Sequence, residues 1–180
     1  MYHTVVIGGG CLGASAAISL QRKLNKIGKN EKVCLVEKAV LCAAESSRHS
    51  GIVRSANADP DASMMALISS NMWKDLSKVW GIGMELDEFG AIWISKKNSE
   101  GENPVWNELS NRMSKIELTF EEINAKSATE KCGTTLLTDD NESYFYEPGA
   151  FQLDPSILRS TLYDALDHNG VDVMEKTEVD

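Results

Sequence analysis

Six residues near the start of the chain, Gly8-Gly9-Gly10-Cys11-Leu12-Gly13, have the types and spacing of a phosphate-holding turn. Each outer glycine has a task in such a turn. Gly8 permits a sharp exit from a strand, Gly10 lets backbone approach a pyrophosphate, and Gly13 allows a helix to pack closely on the strand. The first amides of that helix and the positive end of its dipole then face the phosphates. Glu37 would accept hydrogen bonds from a ribose 2′-hydroxyl, which disfavours a 2′-phosphate. A lone G-x-G-x-x-G match is weak, because a glycine-rich turn in an unrelated α/β protein reads the same way.

The elements that must position these residues strengthen the match. Thr4 to Ile7 is a β-branched run that reads as a buried strand. Ala14 to about Lys26 reads as a helix that Gly28, Lys29 and Asn30 stop. Lys32 to Val36 reads as a second buried strand, with Glu37 at its end. Two such strands around one helix predict a parallel crossover. Glu37 lies 24 residues after Gly13, beyond the usual spacing of about 20. The polar segment 25–31 accounts for the difference as a longer surface loop.

Further along, residues 38–60 read as an extended loop with turn chemistry from Ser46, Ser47, Ser50 and Gly51. A helix from Asp59-Pro60-Asp61 to about Trp80 is predicted next. Its Met65, Ile68, Met72, Leu76 and Val79 fall on one face, which points to core packing. Strands are expected at Ala91 to Ser95 and Tyr144 to Glu147, and a helix at Val105 to Lys115. A short helix after Phe120 would be capped by Thr119. Asp154-Pro155 opens the last helix and Asn169-Gly170 closes it. Val171 to Met174 is then a strand that rejoins the first sheet.

Composition bounds the rest. The chain has 180 residues, 42% of them apolar, and a net charge of −9. An acidic surface repels phosphate backbones, so nucleic acid is not an expected partner. Four cysteines without a C-x-x-C pair and three histidines give little support to a metal site. Free thiols and the lack of a secretory pattern lead to a cytoplasmic expectation. No segment has the apolar length of a membrane helix.

On these residues the chain resembles the FAD-dependent amine and amino-acid oxidoreductases of the D-amino-acid oxidase type, which include sarcosine and glycine oxidases. Four stretches carry the resemblance: Val5 to Gly13 with Ala17, Val36-Glu37-Lys38, Ser46 to Arg54, and Gln152-Leu153-Asp154-Pro155 with the following helix, Gly170-Val171 and Thr177-Glu178-Val179. The resemblance implies an α/β fold. A Rossmann-like FAD-binding domain (1–60 and 150–180) would be interrupted by part of an antiparallel substrate-binding sheet with helices (61–149).

The resemblance also implies a cofactor and roles. FAD is favoured over NAD, because the Ser-rich loop and the closing strand at Thr177 to Val179 are flavoprotein features. Cofactor contacts fall on Gly8, Gly10, Cys11, Leu12, Gly13, Glu37, Lys38, Ser46, Ser47, Arg48, His49, Gly51 and Val179. Val179 would touch the adenine. His49 stays open between covalent flavin attachment, a non-covalent flavin or substrate contact, and an ordinary loop histidine. No catalytic base is assigned. The expected activity is hydride transfer from an amine or amino acid such as sarcosine, glycine or proline. Family members are longer, so an N-terminal portion is expected, completed by further chain or other subunits. An NAD-dependent enzyme and a non-catalytic flavin-binding subunit are the alternatives.

Overall fold

The computed structural model describes residues 1–57, 59–84, 86–136 and 139–179. The chain forms two compact units, residues 1–51, 74–85 and 153–180, and residues 52–73 and 86–152.

The first unit is built on a parallel sheet. Strands β1 (Tyr2–Ile7), β2 (Lys32–Val36) and β8 (Asp172–Met174) lie in the order β1-β2-β8. Helix α1 (Cys11–Lys26) follows β1 and packs against the sheet with Ala14, Ala17, Ile18 and Leu24. The small alanines let it approach closely. Helix α6 (Pro155–Asn169) buries Leu158, Leu162, Ala165 and Leu166 beside it. Each such leucine contributes roughly 1.5–3 kcal/mol when fully buried. Both ends of α6 are as expected. Asp154 accepts hydrogen bonds from the Ser156 and Ile157 amides, and Gly170 takes the left-handed φ of 79° that ends the helix.

β1 differs from its expectation. It is an edge strand, and Val5 and Ile7 are 50% and 67% exposed, whereas β2 is buried from Val33 to Val36. A continuous β-branched run marks a strand but does not say whether anything covers it. The expected strand at Thr177 to Val179 is also absent. These residues run as irregular chain after β8, tied to β2's exit by Lys176 N–H to Ala39 O at 2.8 Å and Thr177 N–H to Glu37 O at 3.0 Å.

The second unit holds an antiparallel sheet of β4 (Ala91–Lys96), β6 (Glu142–Glu147) and β5 (Glu121–Ile123), in the order β4-β6-β5. A small pair joins β3 (Ile52–Val53) to β7 (Phe151–Gln152) inside what the sequence suggested was loop. Helices α2 (Pro60–Lys74), α4 (Pro104–Lys115) and α5 (Ala125–Cys132) belong here or at its boundary. Leu109, Met113, Leu118, Phe120 and Phe145 form its core, with Phe120 and Phe145 stacked at 5.3 Å. Glu147 is fully buried in this unit. Its carboxyl accepts from Ser55 N–H at 2.5 Å, Ala56 N–H at 3.2 Å and the Trp93 indole N–H at 3.2 Å. Arg54 lies 4.2 Å over the Trp93 ring.

Two helix expectations are corrected. The helix predicted to reach Trp80 breaks after Lys74, and α3 (Leu76–Trp80) packs with the first unit, where Leu76 and Trp80 are buried. In α2 the apolar stripe faces outward: Met65, Ile68 and Met72 are exposed, while Ser63 and Ser70 are buried. Ser63 donates its hydroxyl to Asn57 O at 3.0 Å and accepts Asn57 N–H at 3.0 Å, and the inward face carries Ser63, Leu67 and Ser70 in place of the methionines. The second correction is the cap of α5. Asn124, not Thr119, accepts the Ser127 amide there.

Candidate functional site

The glycine turn leaves β1 with Gly8 at φ 104° and its amide bonded to Val36 O at 2.8 Å. That φ suits glycine, which has no Cβ to clash. Gly10 is the N-cap of α1 but offers no side chain. The cap comes instead from Ser46, whose hydroxyl accepts the Cys11 amide at 3.0 Å. A Cβ on Gly10 would lie 3.1 Å from that hydroxyl. The remaining first-turn amides of α1 have no acceptor within the helix, as at any helix start.

Glu37 sits against the same turn. Its carboxylate accepts Gly9 N–H at 2.7 Å and Ala39 N–H at 2.8 Å. A Cβ on Gly9 would come within 2.9 Å of the Glu37 Cβ, so the middle glycine of the motif is also required for space. The Ala39 amide first, and the Gly9 amide second, hold the Glu37 carboxyl below the ordinary glutamate value of 4.5. A carboxyl lowered on folding stabilises the fold fully above about pH 4.5, and that contribution is lost as pH falls through the lowered value. Glu37→Gln should therefore flatten the acid limb of a stability-versus-pH curve followed by chemical denaturation. An acid limb identical to that of the unsubstituted protein would refute this role.

The loop after β2 is held onto the turn by backbone. Cys42 N–H donates to Gly9 O at 2.8 Å, and Cys42 itself is buried with φ 57°. Leu41 N–H donates to Glu175 at 2.6 Å, and the Tyr163 hydroxyl donates to the same carboxylate oxygen. The Tyr163 hydroxyl first, and the Leu41 amide second, hold Glu175 below its ordinary value.

The sequence-predicted residues therefore divide. Gly8, Gly10, Cys11, Gly13, Glu37 and Ser46 gather around one turn. His49 accepts Gly51 N–H on its Nδ1 at 2.9 Å, and its proximity helps lower the Cys11 thiol. Gly51 is buried at φ 78° and joins the loop to the start of α6's approach, since Leu153 N–H donates to its carbonyl at 2.7 Å. Ser47 turns elsewhere. Its hydroxyl donates to Ala44 O, and it lines a hollow of about 640 Å³ with Asp154, Ser156, Arg159, Ser160 and Tyr163. The side chains of Leu12, Lys38, Arg48 and Val179 are exposed. Gly9, Glu175 and Tyr163 were not singled out by sequence reasoning. Gly9 was legible as an unbroken third glycine; Glu175 and Tyr163 carried no local signal.

The pattern of the DAO family, described as FAD dependent oxidoreductase, matches residues 3–180. The chain belongs to this family. No curated relative matches it. Among solved structures the fold is similar to L-proline dehydrogenase from P. horikoshii, with TM-score 0.83 and 20% identity over 99% of this chain and 45% of that one. Glycine oxidase from Bacillus cereus ATCC 14579 gives TM-score 0.75 and 22% identity over 99% of this chain and 47% of that one. L-amino acid deaminase from Proteus vulgaris gives TM-score 0.78 and 19% identity over 98% and 40%. The chain thus spans less than half the length of these family folds. No described helix is long and apolar enough to cross a membrane.

Proposed function

We propose that this chain binds the ADP half of FAD in its first unit and serves an FAD-dependent oxidoreductase that oxidises the C–N bond of an amine or amino acid. The observation that carries the reading is the pairing of Glu37 with the Gly9 amide beside the open first turn of α1. This supports the reading, in which the carboxylate meets a ribose and the helix start meets the phosphates. The donor set fits the group: first-turn amides for the pyrophosphate, and a carboxylate whose oxygens each retain a free lone pair for ribose hydroxyls. Glycines at 9, 10 and 13 keep that cradle clear of side chains.

Bound flavin supplies acceptance of a hydride from the C–H beside the amine nitrogen. The chain's own residues bind and orient. Gly10, Cys11, Leu12 and Gly13 offer backbone to the pyrophosphate, with Ser46 fixing the helix start. Glu37 holds the ribose, and Val179 supplies apolar surface to the adenine. Lys38, Ser47, Arg48, His49 and Gly51 surround the loop that completes the cofactor contacts. An amino-acid substrate is supported by the relatives, which are named for proline, glycine and L-amino acids.

Purified protein incubated with FAD, then desalted, should be yellow and should quench flavin fluorescence. Turnover of sarcosine, glycine or proline by the flavin-loaded protein, joined with the remainder of a family-length chain, would extend the reading to catalysis. A colourless protein that binds NADH and not FAD would overturn it.

A further inference from the structure

The hollow of about 640 Å³ beside α6 lies wholly within the first unit, and its size is that of a small-molecule site. Four of its hydroxyls spend their protons inside the chain. Ser47 donates to Ala44 O at 3.0 Å, Ser156 to Asp154 Oδ1 at 2.5 Å and Ser160 to Ile157 O at 3.0 Å, and Tyr163 donates to Glu175. Lone pairs are what these oxygens have left for a ligand. Asp154 takes the Ser156 and Ile157 amides on the same Oδ1, and its Oδ2 has no partner among the described residues. The first amides of α6 are therefore occupied, and the helix start offers nothing to an anion. The cation of the hollow is Arg159. It lies 5.8 Å over the Tyr163 ring and forms no ion pair with a described residue.

We propose that this hollow binds a free amino acid as its zwitterion, with the carboxylate on Arg159 and the ammonium on Asp154 Oδ2 and the serine oxygens. One guanidinium and one carboxylate balance in charge, so a ligand carrying both signs meets them better than a bare anion or cation. A phosphate would gain the guanidinium but set its oxygens against a ring of acceptors. An ammonium brings three donors to those acceptors, and a carboxylate takes two parallel bonds from a guanidinium. The pyrrolidine of Pro155 borders the same hollow and gives an apolar side chain a surface. Apart from Ser47, none of these residues has a part in cofactor binding, and the site needs no FAD.

The test titrates the whole chain, without added FAD, with L-leucine in a calorimeter. Saturable binding is expected. Leucinamide, which lacks the carboxylate, and 4-methylpentanoate, which lacks the ammonium, should each bind at least about tenfold more weakly, the worth of one hydrogen bond to a charged group. Asp154→Asn keeps an N-cap acceptor for α6 and removes the charge. It should weaken L-leucine about tenfold and leave 4-methylpentanoate unchanged. Arg159→Gln should weaken L-leucine as much and leave leucinamide unchanged. The absence of saturable L-leucine binding overturns the proposal. So does inorganic phosphate bound more tightly than L-leucine, or L-leucine bound equally by the unsubstituted chain and both variants.

Discussion

Gly13→Ala is expected to destabilise the protein by at least about 3 kcal/mol and to abolish cofactor retention, the upper end of what overpacking costs. The direction is opposite to helix propensity, by which alanine in place of a helical glycine gains about 1 kcal/mol. Space decides against propensity here. A Cβ on Gly13 would lie 1.9 Å from Gly8 O and 3.1 Å from the Gly8 carbonyl carbon. Both atoms are backbone, so no rotamer change relieves the clash. α1 would have to lift from β1, which opens the turn between them. Urea denaturation reads the stability and flavin fluorescence reads the cofactor. Gly83→Ala, where a Cβ meets nothing within 4 Å, is the matched control. A Gly13→Ala protein as stable as the control would overturn the close-packing argument.

Glu147→Ala should be the most damaging single change in the second unit. It leaves the Ser55 and Ala56 amides and the Trp93 indole facing a void. A buried donor without an acceptor costs roughly 1–3 kcal/mol. Three of them put the loss at about 3 kcal/mol or more, before the cavity is counted. Glu147→Gln keeps the volume and one acceptor oxygen but turns an NH₂ group toward a donor. It should fall between the two, with the Trp93 emission shifted in both variants. Stability of the glutamine variant equal to that of the unsubstituted protein, with the alanine variant losing under about 1 kcal/mol, would show that the donors find other partners.

What could be read from the sequence was local. The strand, turn, helix, strand and acidic residue from Thr4 to Glu37 lie in order along the chain, and each has a residue-level signature. The same holds for α6, whose Asp154 cap and Gly170 stop are written at its ends. Contacts across sequence were not legible. Nothing about Ser46 announces that its hydroxyl caps a helix 35 residues earlier. Nothing near Glu175 says that it orders Leu41. The α2 stripe was misread for a related reason. Periodicity locates an apolar face but not the side on which the rest of the unit lies, and Ser63 and Ser70 took the inward position. The family resemblance implied a strand at Thr177 to Val179, yet the Thr177 amide bonds to Glu37 O at the irregular exit of β2 and these residues form no ladder.

The position of β1 at the edge of its sheet has a consequence for motion. Among the described residues it is paired on one side only, to β2. Alternate amides of an edge strand point away from the ladder, so hydrogen exchange along β1 should be split residue by residue, with β2 protected throughout. The glycine turn hangs from the end of that half-held strand. Its order in solution is therefore inherited from β2, through Gly8 to Val36, Gly9 to Glu37 and Cys42 to Gly9. Fraying of β1 would reach the first-turn amides of α1 last, because those three bonds anchor the turn to its neighbour and not to its own strand.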